Sequence, residues 1–186
     1  PLRKITDFKS KLVGGGARSN LFEVVLSFPD IAPASSEVLE KSRFLVKAAN
    51  LPASNISDIT VPFRGRVLHV AGDRTFDSWT ITVINDTDFA IRSAFEKWMN
   101  AINRVSDATG STDPASYQAD AFVYQLDRSG ETLRAYHFYD IFPTNVAPIN
   151  LSYDTEGIQE FTVEMQVHWW EAMKGRGPAA GGEDIN

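Results

Sequence analysis

The sequence has 186 residues, 43% of them hydrophobic and 23% charged, which is enough to bury the core of one domain of ordinary size. It contains no cysteine, and this excludes disulfides, thiolate catalysis and cysteine-based zinc sites. The formal charge of -6 argues against a protein that grips duplex nucleic acid, because phosphate contacts need clustered Lys and Arg. No apolar run reaches the roughly 20 residues of a spanning helix and no signal segment opens the chain, so we expect a soluble, non-exported protein.

Composition divides the chain into three parts. Residues 1–20 mix Lys and Arg with three consecutive glycines at 14–16, which predicts a mobile N-terminal arm. Residues 21–174 carry the periodic patterns of a single domain. Residues 175–186 are rich in Gly and Ala and predict a flexible C-terminal tail. We find no internal repeat.

The first half of the domain reads as β structure. Residues 21–28 alternate apolar and polar side chains until Pro29, and residues 42–49 continue in the same manner, so both segments predict strands. Residues 50–73 place Pro and Gly between short β-branched runs, which excludes a helix and predicts a broken, protruding hairpin. Residues 76–84 predict a strong strand.

One helix is predicted, over residues 88–104, because apolar side chains recur there at spacings of three and four. Phe95, Trp98 and Ile102 belong to its apolar stripe and are expected to pack on the sheet. Three further strands are predicted at 121–126, 132–141 and 158–170. In the last of these, Trp169 and Trp170 point to opposite faces, so at most one of them can lie in the same core.

No arrangement of residues indicates catalysis, a cofactor or a metal. His69, His137 and His168 lack any short metal-ligand spacing, and structural, hydrogen-bonded histidines are expected. The glycines at 14–16 are not followed by the GK[ST] ending of a phosphate loop, and no nucleophile elbow of the GxSxG type is present. The scattered aspartates lack the spacing of a calcium loop and are better explained as caps and turn residues.

A set of short segments, in order along nearly the whole chain, resembles the tail tube proteins of contractile-tailed bacteriophages. The segments that carry this resemblance include Leu51-Pro52, Val61-Pro62-Phe63-Arg64-Gly65-Arg66, Gly72-Asp73-Arg74, Phe95-Glu96-Lys97-Trp98-Met99-Asn100, Phe142-Pro143-Thr144 and Trp169. Related subunits occur in contractile bacteriocins and extracellular injection particles, so the resemblance leaves open which machine the chain serves. Together with the patterns above, it implies a mainly β fold of two packed antiparallel sheets, a sandwich or partial barrel, with one flanking α-helix and the hairpin.

The resemblance also implies hexameric rings that stack into a tube inside a contractile sheath, with strands of neighbouring subunits completing a barrel around a channel that conducts DNA. The expected partners are the chain itself, the sheath, baseplate and tail terminator proteins, and a tape-measure protein inside the tube. Under this interpretation the hairpin region contacts the adjacent ring through a set of apolar and basic residues. These ring-stacking residues are Leu51, Pro52, Val61, Pro62, Phe63, Arg64 and Arg66.

Glu164 and Gln166 lie on the polar face of the last predicted strand and are possible lining residues of an acidic channel, along which DNA would slide without specific binding. The expected location is the phage tail of the virion, after assembly in the bacterial cytoplasm. Two alternatives from other classes remain: a monomeric β-sandwich carbohydrate-binding module, suggested by the 11% aromatic content, and a small hydrolase, which no residue spacing supports.

Overall fold

Two sheets, antiparallel except for the parallel pair of β9 and β10, and a separate hairpin form the β structure of the computed structural model, which describes residues 4–174 and 181–184. The strands are β1 (Phe22–Leu26), β2 (Val46–Ala49), β3 (Ser54–Phe63), β4 (Arg66–Phe76), β5 (Trp79–Ile84), β6 (Ala119–Leu126), β7 (Thr132–Val146), β8 (Glu160–Gln166), β9 (Trp169–Lys174) and β10 (Gly181–Asp184). The helices are α1 (Ile5–Lys11), α2 (Ser36–Leu45), α3 (Ala90–Ile102) and α4 (Pro114–Tyr117), and Val13–Gly15 form a 3-10 turn.

The long strand β7 belongs to both sheets. Its first part pairs with β6 and β9 in a sheet of order β1-β6-β7-β9-β10, which we call sheet A. Residues 142–146 pair with β8 in a sheet of order β2-β5-β8-β7, which we call sheet B. The strand bends between these parts at Asp140, whose φ of 53° is a left-handed conformation, and the register with β6 shifts there. The sheets therefore form a partial barrel with one continuous corner.

The core lies between the two sheets and is filled by alternate residues of their strands. Trp79 of β5 stacks on Phe138 of β7 with ring centroids 4.6 Å apart, and both side chains are fully buried. Ile81, Val83 and their partners on β8 complete the sheet B side. Because the opposite faces of these strands are only partly buried, the period-2 pattern read from the sequence corresponds to one core face in each sheet.

Helix α3 covers one side of the barrel. Phe95 and Trp98 are fully buried, Ile102 is half-buried, and the Trp98 indole donates a hydrogen bond to the Tyr117 carbonyl at 2.7 Å. Phe28 packs on both aromatic rings, at 5.4 Å from Phe95 and 5.3 Å from Trp98. The helix begins two residues later than the sequence indicated, because Phe89 adopts a φ of 54° that ends the preceding turn.

The prediction of a single helix was wrong, because α2 occupies residues 36–45 and the predicted strand at 42–49 is reduced to β2. The Ser35 hydroxyl caps α2 by accepting a hydrogen bond from the Val38 amide at 3.3 Å. Val38 and Ser42, four residues apart, are its buried positions, so the helix exposes most of its surface. A stripe this narrow gives only a weak helical period in the sequence.

Two other boundaries differ from the sequence-based expectations. The predicted strand at 158–170 is divided between β8 in sheet B and β9 in sheet A, because the chain turns the barrel corner at Val167 and His168. Within the predicted flexible tail, residues 181–184 form β10 beside β9, and residues 175–180 and 185–186 lie outside the described part. The mainly β fold of two antiparallel sheets with a protruding hairpin is confirmed.

Candidate assembly interface

The hairpin of β3 and β4 is exposed along almost its whole length. The two strands pair only with each other in the described residues, and every residue of β3 is exposed. Cross-strand pairing places five large apolar side chains on one face, which we call the apolar face of the hairpin. They are Ile59, Val61, Phe63, Leu68 and Val70, with exposed fractions from 45% to 66%. An apolar surface of this kind on a projecting element indicates a contact with another protein.

The opposite face of the hairpin is more polar. It presents Thr60 and Pro62 of β3 opposite His69 and Val67 of β4, and the His69 ring lies 2.6 Å from an Asp58 carboxylate oxygen. The hairpin therefore has two chemically different faces. Only one of them has the character of a hydrophobic contact surface.

Arg64 and Gly65 form the tip of the hairpin as a two-residue turn. Both have positive φ, 46° and 80°, as the tight turns that suit twisted strands require. Glycine adopts this conformation freely, whereas arginine adopts it at a cost in conformational energy. Arg64 therefore occupies a turn position that normally favours Gly or Asn. The Arg64 guanidinium lies over the Phe63 ring at 5.2 Å, so the tip carries positive charge next to apolar surface.

The structure places the seven predicted ring-stacking residues in two groups. Val61, Pro62, Phe63, Arg64 and Arg66 are exposed on the outer half of the hairpin. Leu51 and Pro52 precede the hairpin; Leu51 is exposed, whereas Pro52 is buried within its own subunit and offers little surface for an intersubunit contact. Pro52 lies three residues after the end of β2 and two residues before β3. Ile59, Leu68 and Val70 were missed, although their alternation on either side of Arg64-Gly65 was a usable signal.

The outward face of sheet B is polar. Its cross-strand pairs include Thr80 with Glu164 and Thr82 with Thr162. Glu164 accepts a hydrogen bond from the Ser78 hydroxyl at 2.7 Å, and Gln166 is exposed on the same face. Lys47 Nζ lies 2.6 Å from Glu160 at the β2 side. The predicted lining residues thus share one face of one sheet, where carboxylates outnumber the single cation.

Sheet B also has two free edges in the described residues: β2 pairs only with β5, and residues 142–146 of β7 pair only with β8. Each neighbouring pair in the order β2-β5-β8-β7 is antiparallel, so the first and the last of these four strands run in opposite directions. Unpaired edges are sites for strand addition by another chain. An edge of β2 and an edge of β7 from two copies would pair in the same antiparallel manner.

The outward face of sheet A carries a row of aromatic rings. Phe122 stacks on His137 at 4.2 Å, His137 on Tyr139 at 3.7 Å, and Tyr139 on Trp169 at 3.7 Å. The His137 ring also lies 2.9 Å from an Asp120 carboxylate oxygen. Trp169 is partly exposed, whereas Trp170 packs from the other face against the core cluster. The two outward faces of the barrel therefore differ, one being aromatic and the other polar.

Charged residues join α2 to the start of α3. The Lys41 ammonium contacts Glu37 at 3.1 Å and Asp86 at 3.4 Å, and it also bonds to Asp88. Asp88, followed by Glu37, raises the pKa of Lys41 above its ordinary value. The Lys41 ammonium and then the Ala90 amide lower the pKa of Asp88, which accepts from that amide at 3.0 Å.

Within residues 4–174 and 181–184, no group of three or more His, Asp or Glu side chains is placed to hold a metal ion. None of the helices in this part of the chain is long and apolar enough to cross a membrane. The features that distinguish this surface are an exposed apolar hairpin, two complementary sheet edges and a polar sheet face. Features of this kind indicate a protein that acts through contacts with other protein surfaces.

Comparisons with known proteins identify the family. Residues 17–173 match the family described as phage tail tube protein. The chain is 36% identical over 161 residues to the tail tube protein gp19 of Enterobacteria phage T4, a match that covers 85% of this chain and 93% of the T4 protein. It is 26% identical over 175 residues to the tail tube protein of Serratia phage KSP90, covering 92% and 97% of the two chains. The chain therefore belongs to the phage tail tube protein family, and it is a structural component of the virion tail and not an enzyme.

Solved structures share the fold. The chain is similar to a chain of the anti-feeding prophage cap, with a TM-score of 0.65 at 15% identity over 89% of this chain and 92% of that one. It is also similar to a chain of the PVC extracellular contractile injection system in its extended sheath-tube complex, with a TM-score of 0.59 at 14% identity over 92% and 97% of the two chains. At these identities the likeness concerns the fold alone.

Proposed function

We propose that this chain assembles into hexameric rings, and that the rings stack to form the inner tube of a contractile phage tail through which DNA passes during ejection. The observation that carries the proposal is the projecting hairpin, whose apolar face is exposed in the single subunit. Burying five large apolar side chains against a second copy would contribute several kcal/mol at about 25 cal/mol per Å². A monomer would leave this surface in water.

Ring closure is assigned to the edges of sheet B. The edge of β2 in one subunit pairs with residues 142–146 of β7 in the next, and the opposite directions of these strands support a continuous antiparallel sheet around the ring. This contact is heterologous, because each subunit offers one edge on each side, and such contacts close into rings. Closure also removes the two free edges that a monomer would expose.

Stacking is assigned to the hairpin. Val61 and Phe63 on the apolar face, with Pro62 between them on the other face, supply apolar contact with the adjacent ring. Arg64 and Arg66 at the tip supply charge that fixes the register. Leu51, which is 45% exposed, lies next to the hairpin and contributes at its base. The hairpin spans roughly 30 Å at 3.3 Å per residue, enough to overlap much of a neighbouring subunit.

The polar face of sheet B lines the channel in this arrangement, because sheet B is the sheet whose edges close the ring. Glu164 and Gln166 then face the lumen, and Glu160 is largely neutralised by Lys47. Repeated around the ring, the remaining carboxylates repel phosphates, so DNA slides without being held. The aromatic face of sheet A is turned away from the channel.

Other proteins complete the tail. A sheath protein surrounds the tube, baseplate and tail terminator proteins cap its two ends, and a tape-measure protein occupies the lumen before DNA enters. Assembly takes place in the cytoplasm of the host. Membership of the tail tube family supports this set of partners.

Negative-stain electron microscopy of the purified protein, across a concentration series and with added baseplate as nucleator, tests the proposal. We expect rings with six-fold symmetry and stacks of such rings. Monomers that persist at every concentration, even with the nucleator present, would reject it. Rings with a different symmetry would reject the hexamer while keeping the tube.

A further inference from the structure

We propose that the N-terminal helix α1 of one subunit packs against the hairpin of a second subunit across the junction between stacked rings. This inference rests on the proposed stacking of rings and adds a second partner for the hairpin. It assigns a role to the N-terminal arm, residues 1–20. The family match covers residues 17–173 and so includes only the last part of this arm.

Helix α1 has an uncovered apolar face. Ile5, Phe8 and Leu12 follow one another at spacings of three and four, and their exposed fractions are 70%, 63% and 45%. No residue of the helix is buried, and in the described residues its hydrogen bonds stay within the arm, as in the bond from Ser10 to the Asp7 carbonyl. A short helix of seven residues is not stable alone in water, so a partner surface is expected.

The arm and the hairpin leave sheet A at opposite ends. The arm is held where β6 ends and β7 begins, because the side-chain amide of Gln125 donates to the Arg18 carbonyl at 2.5 Å and to the Leu21 carbonyl at 2.8 Å. The hairpin base lies at the barrel corner where β9 begins, since Phe76 contacts the Trp170 ring at 6.1 Å. The intervening strand β6 has eight residues, or about 25 Å at 3.4 Å per residue. Copies arranged head to tail therefore bring the hairpin of one to the arm of the next.

The segment between α1 and its anchor is long enough for this contact. Six residues lie between Lys11 and Arg18. The seven Cα–Cα steps across them allow a reach of up to about 23 Å. The three glycines in this segment, Gly14, Gly15 and Gly16, all have positive φ, between 67° and 83°. Such a linker lets the helix turn toward a neighbouring ring with little strain.

The charges of the two surfaces are complementary. Residues 1–20 contain five basic residues and one acidic residue, whereas the other residues contain 23 acidic and 13 basic ones. The base half of the hairpin carries Asp58, Asp73 and Asp77 against Arg74, and the tip carries Arg64 and Arg66. The net negative charge of the base half attracts the basic arm, and Ile59 and Val70 offer it apolar contact on the face opposite to Asp58. The tip remains free to contact the body of the adjacent subunit.

Cross-linking between two single-cysteine variants tests the contact, and the chain has no cysteine of its own. Phe8→Cys protein is mixed with Ile59→Cys protein, assembled into tubes and treated with a short thiol-specific cross-linker. We expect a mixed dimer, several-fold more abundant than with Thr60→Cys, which lies on the opposite face of the same strand. All three positions are exposed, so these variants are expected to fold.

Tube formation, scored by electron microscopy in the same samples, separates the two claims. Tubes without the Phe8 to Ile59 product, or with equal yields at Ile59 and Thr60, overturn the inference and leave the tube assignment intact. A product that forms only between Phe8→Cys and an added sheath subunit also overturns it, because the sheath is then the partner of the arm. Absence of any ring or tube overturns the tube assignment, and the inference with it.

A charge variant gives an independent measurement. Phe8→Glu places a carboxylate in the apolar contact, and the protein concentration needed for tubes is expected to rise several-fold. Thr6→Glu adds the same charge outside the apolar face of α1 and is expected to leave that concentration nearly unchanged. Equal effects of the two substitutions would contradict the contact.

Discussion

Lys41 is the residue that connects α2 to the turn before α3. Its ammonium bonds to Glu37, Asp86 and Asp88, and Asp88 also receives the Ala90 amide at the start of α3. The pKa of Lys41 is raised and that of Asp88 is lowered, so each charged form is favoured in the folded state. The contribution of Asp88 to folding stability is therefore fully present above about pH 4, and it is lost as the pH falls through the lowered pKa of Asp88. The contribution of Lys41 to folding stability is fully present below about pH 10, and it is lost as the pH rises through the raised pKa of Lys41.

Replacing Lys41 with Met should lower the melting temperature at pH 7, because three carboxylates lose their common cation. The fall in melting temperature below pH 4 should also become shallower, since the pKa of Asp88 returns toward its ordinary value. Thermal unfolding from pH 3 to pH 9 measures both effects. Lys97→Met is the matched control, because Lys97 is exposed and makes no ion pair among the described residues. Parallel pH profiles for wild type and Lys41→Met would contradict this account.

Helix α3 is the element that closes the barrel on one side. Trp98 is its central contact, being fully buried, packed on Phe28 and hydrogen-bonded to the Tyr117 carbonyl. A buried aromatic with a satisfied N–H contributes both apolar area and a polar bond. Stability of the subunit should therefore depend more on this residue than on the exposed side of the helix.

Truncating Trp98 to Ala should reduce the free energy of unfolding by about 3–5 kcal/mol, the usual cost of removing a buried aromatic side chain. Trp98→Phe keeps most of the ring but leaves the Tyr117 carbonyl without its donor, so a smaller loss of about 1–3 kcal/mol is expected. Urea unfolding measures both values. A Trp98→Ala variant as stable as wild type would show that α3 does not close the core.

In the proposed assembly, the hairpin is the element on which stacking depends. Leu68→Asp places a charge on the apolar face, and we expect it to prevent tubes while leaving the melting temperature of the subunit within about 2 °C of wild type, because exposed substitutions rarely change stability. Thr60→Asp puts the same charge on the opposite face of the hairpin and should still permit tubes. Electron microscopy scores tube formation, and thermal unfolding measures the melting temperature of the subunit. Tubes formed equally well by both variants would exclude the apolar face as a contact.

The sequence predicted the hairpin and α3 because their signals are local. Gly65 marks the turn, and the stripe of α3 has a full helical period. The sequence did not predict α2, because that helix buries only Val38 and Ser42. It also did not predict the corner after β8, because the alternation of apolar and polar residues continues there while the chain passes from sheet B to sheet A. The burial of Pro52 is likewise a tertiary effect that no local pattern contains. The full apolar face of the hairpin could be recognised only once the register of β3 on β4 was known, because that register decides which side chains of the two strands share a face.

In the whole molecule, as assembled in the proposed tube, the polar face of sheet B determines how the channel interacts with DNA. Gln166→Lys adds a cation to this exposed position, and DNA ejection from phage carrying it should be slower, because phosphates would then be attracted to the wall. Gln166→Glu adds the opposite charge at the same site and should leave ejection near the wild-type rate. The measurement is the rate of DNA release on exposure to the receptor. Undiminished ejection with Lys would contradict a lumen position.

The central claim is that subunits join through the edges of sheet B and stack through the hairpin. Cryo-electron microscopy of assembled tubes, at a resolution that separates strands, tests it most directly. The account predicts six subunits per ring, with β2 of each subunit beside residues 142–146 of its neighbour and every hairpin lying on the adjacent ring. Tubes in which these edges remain unpaired, or in which the hairpins project into solvent, would contradict it.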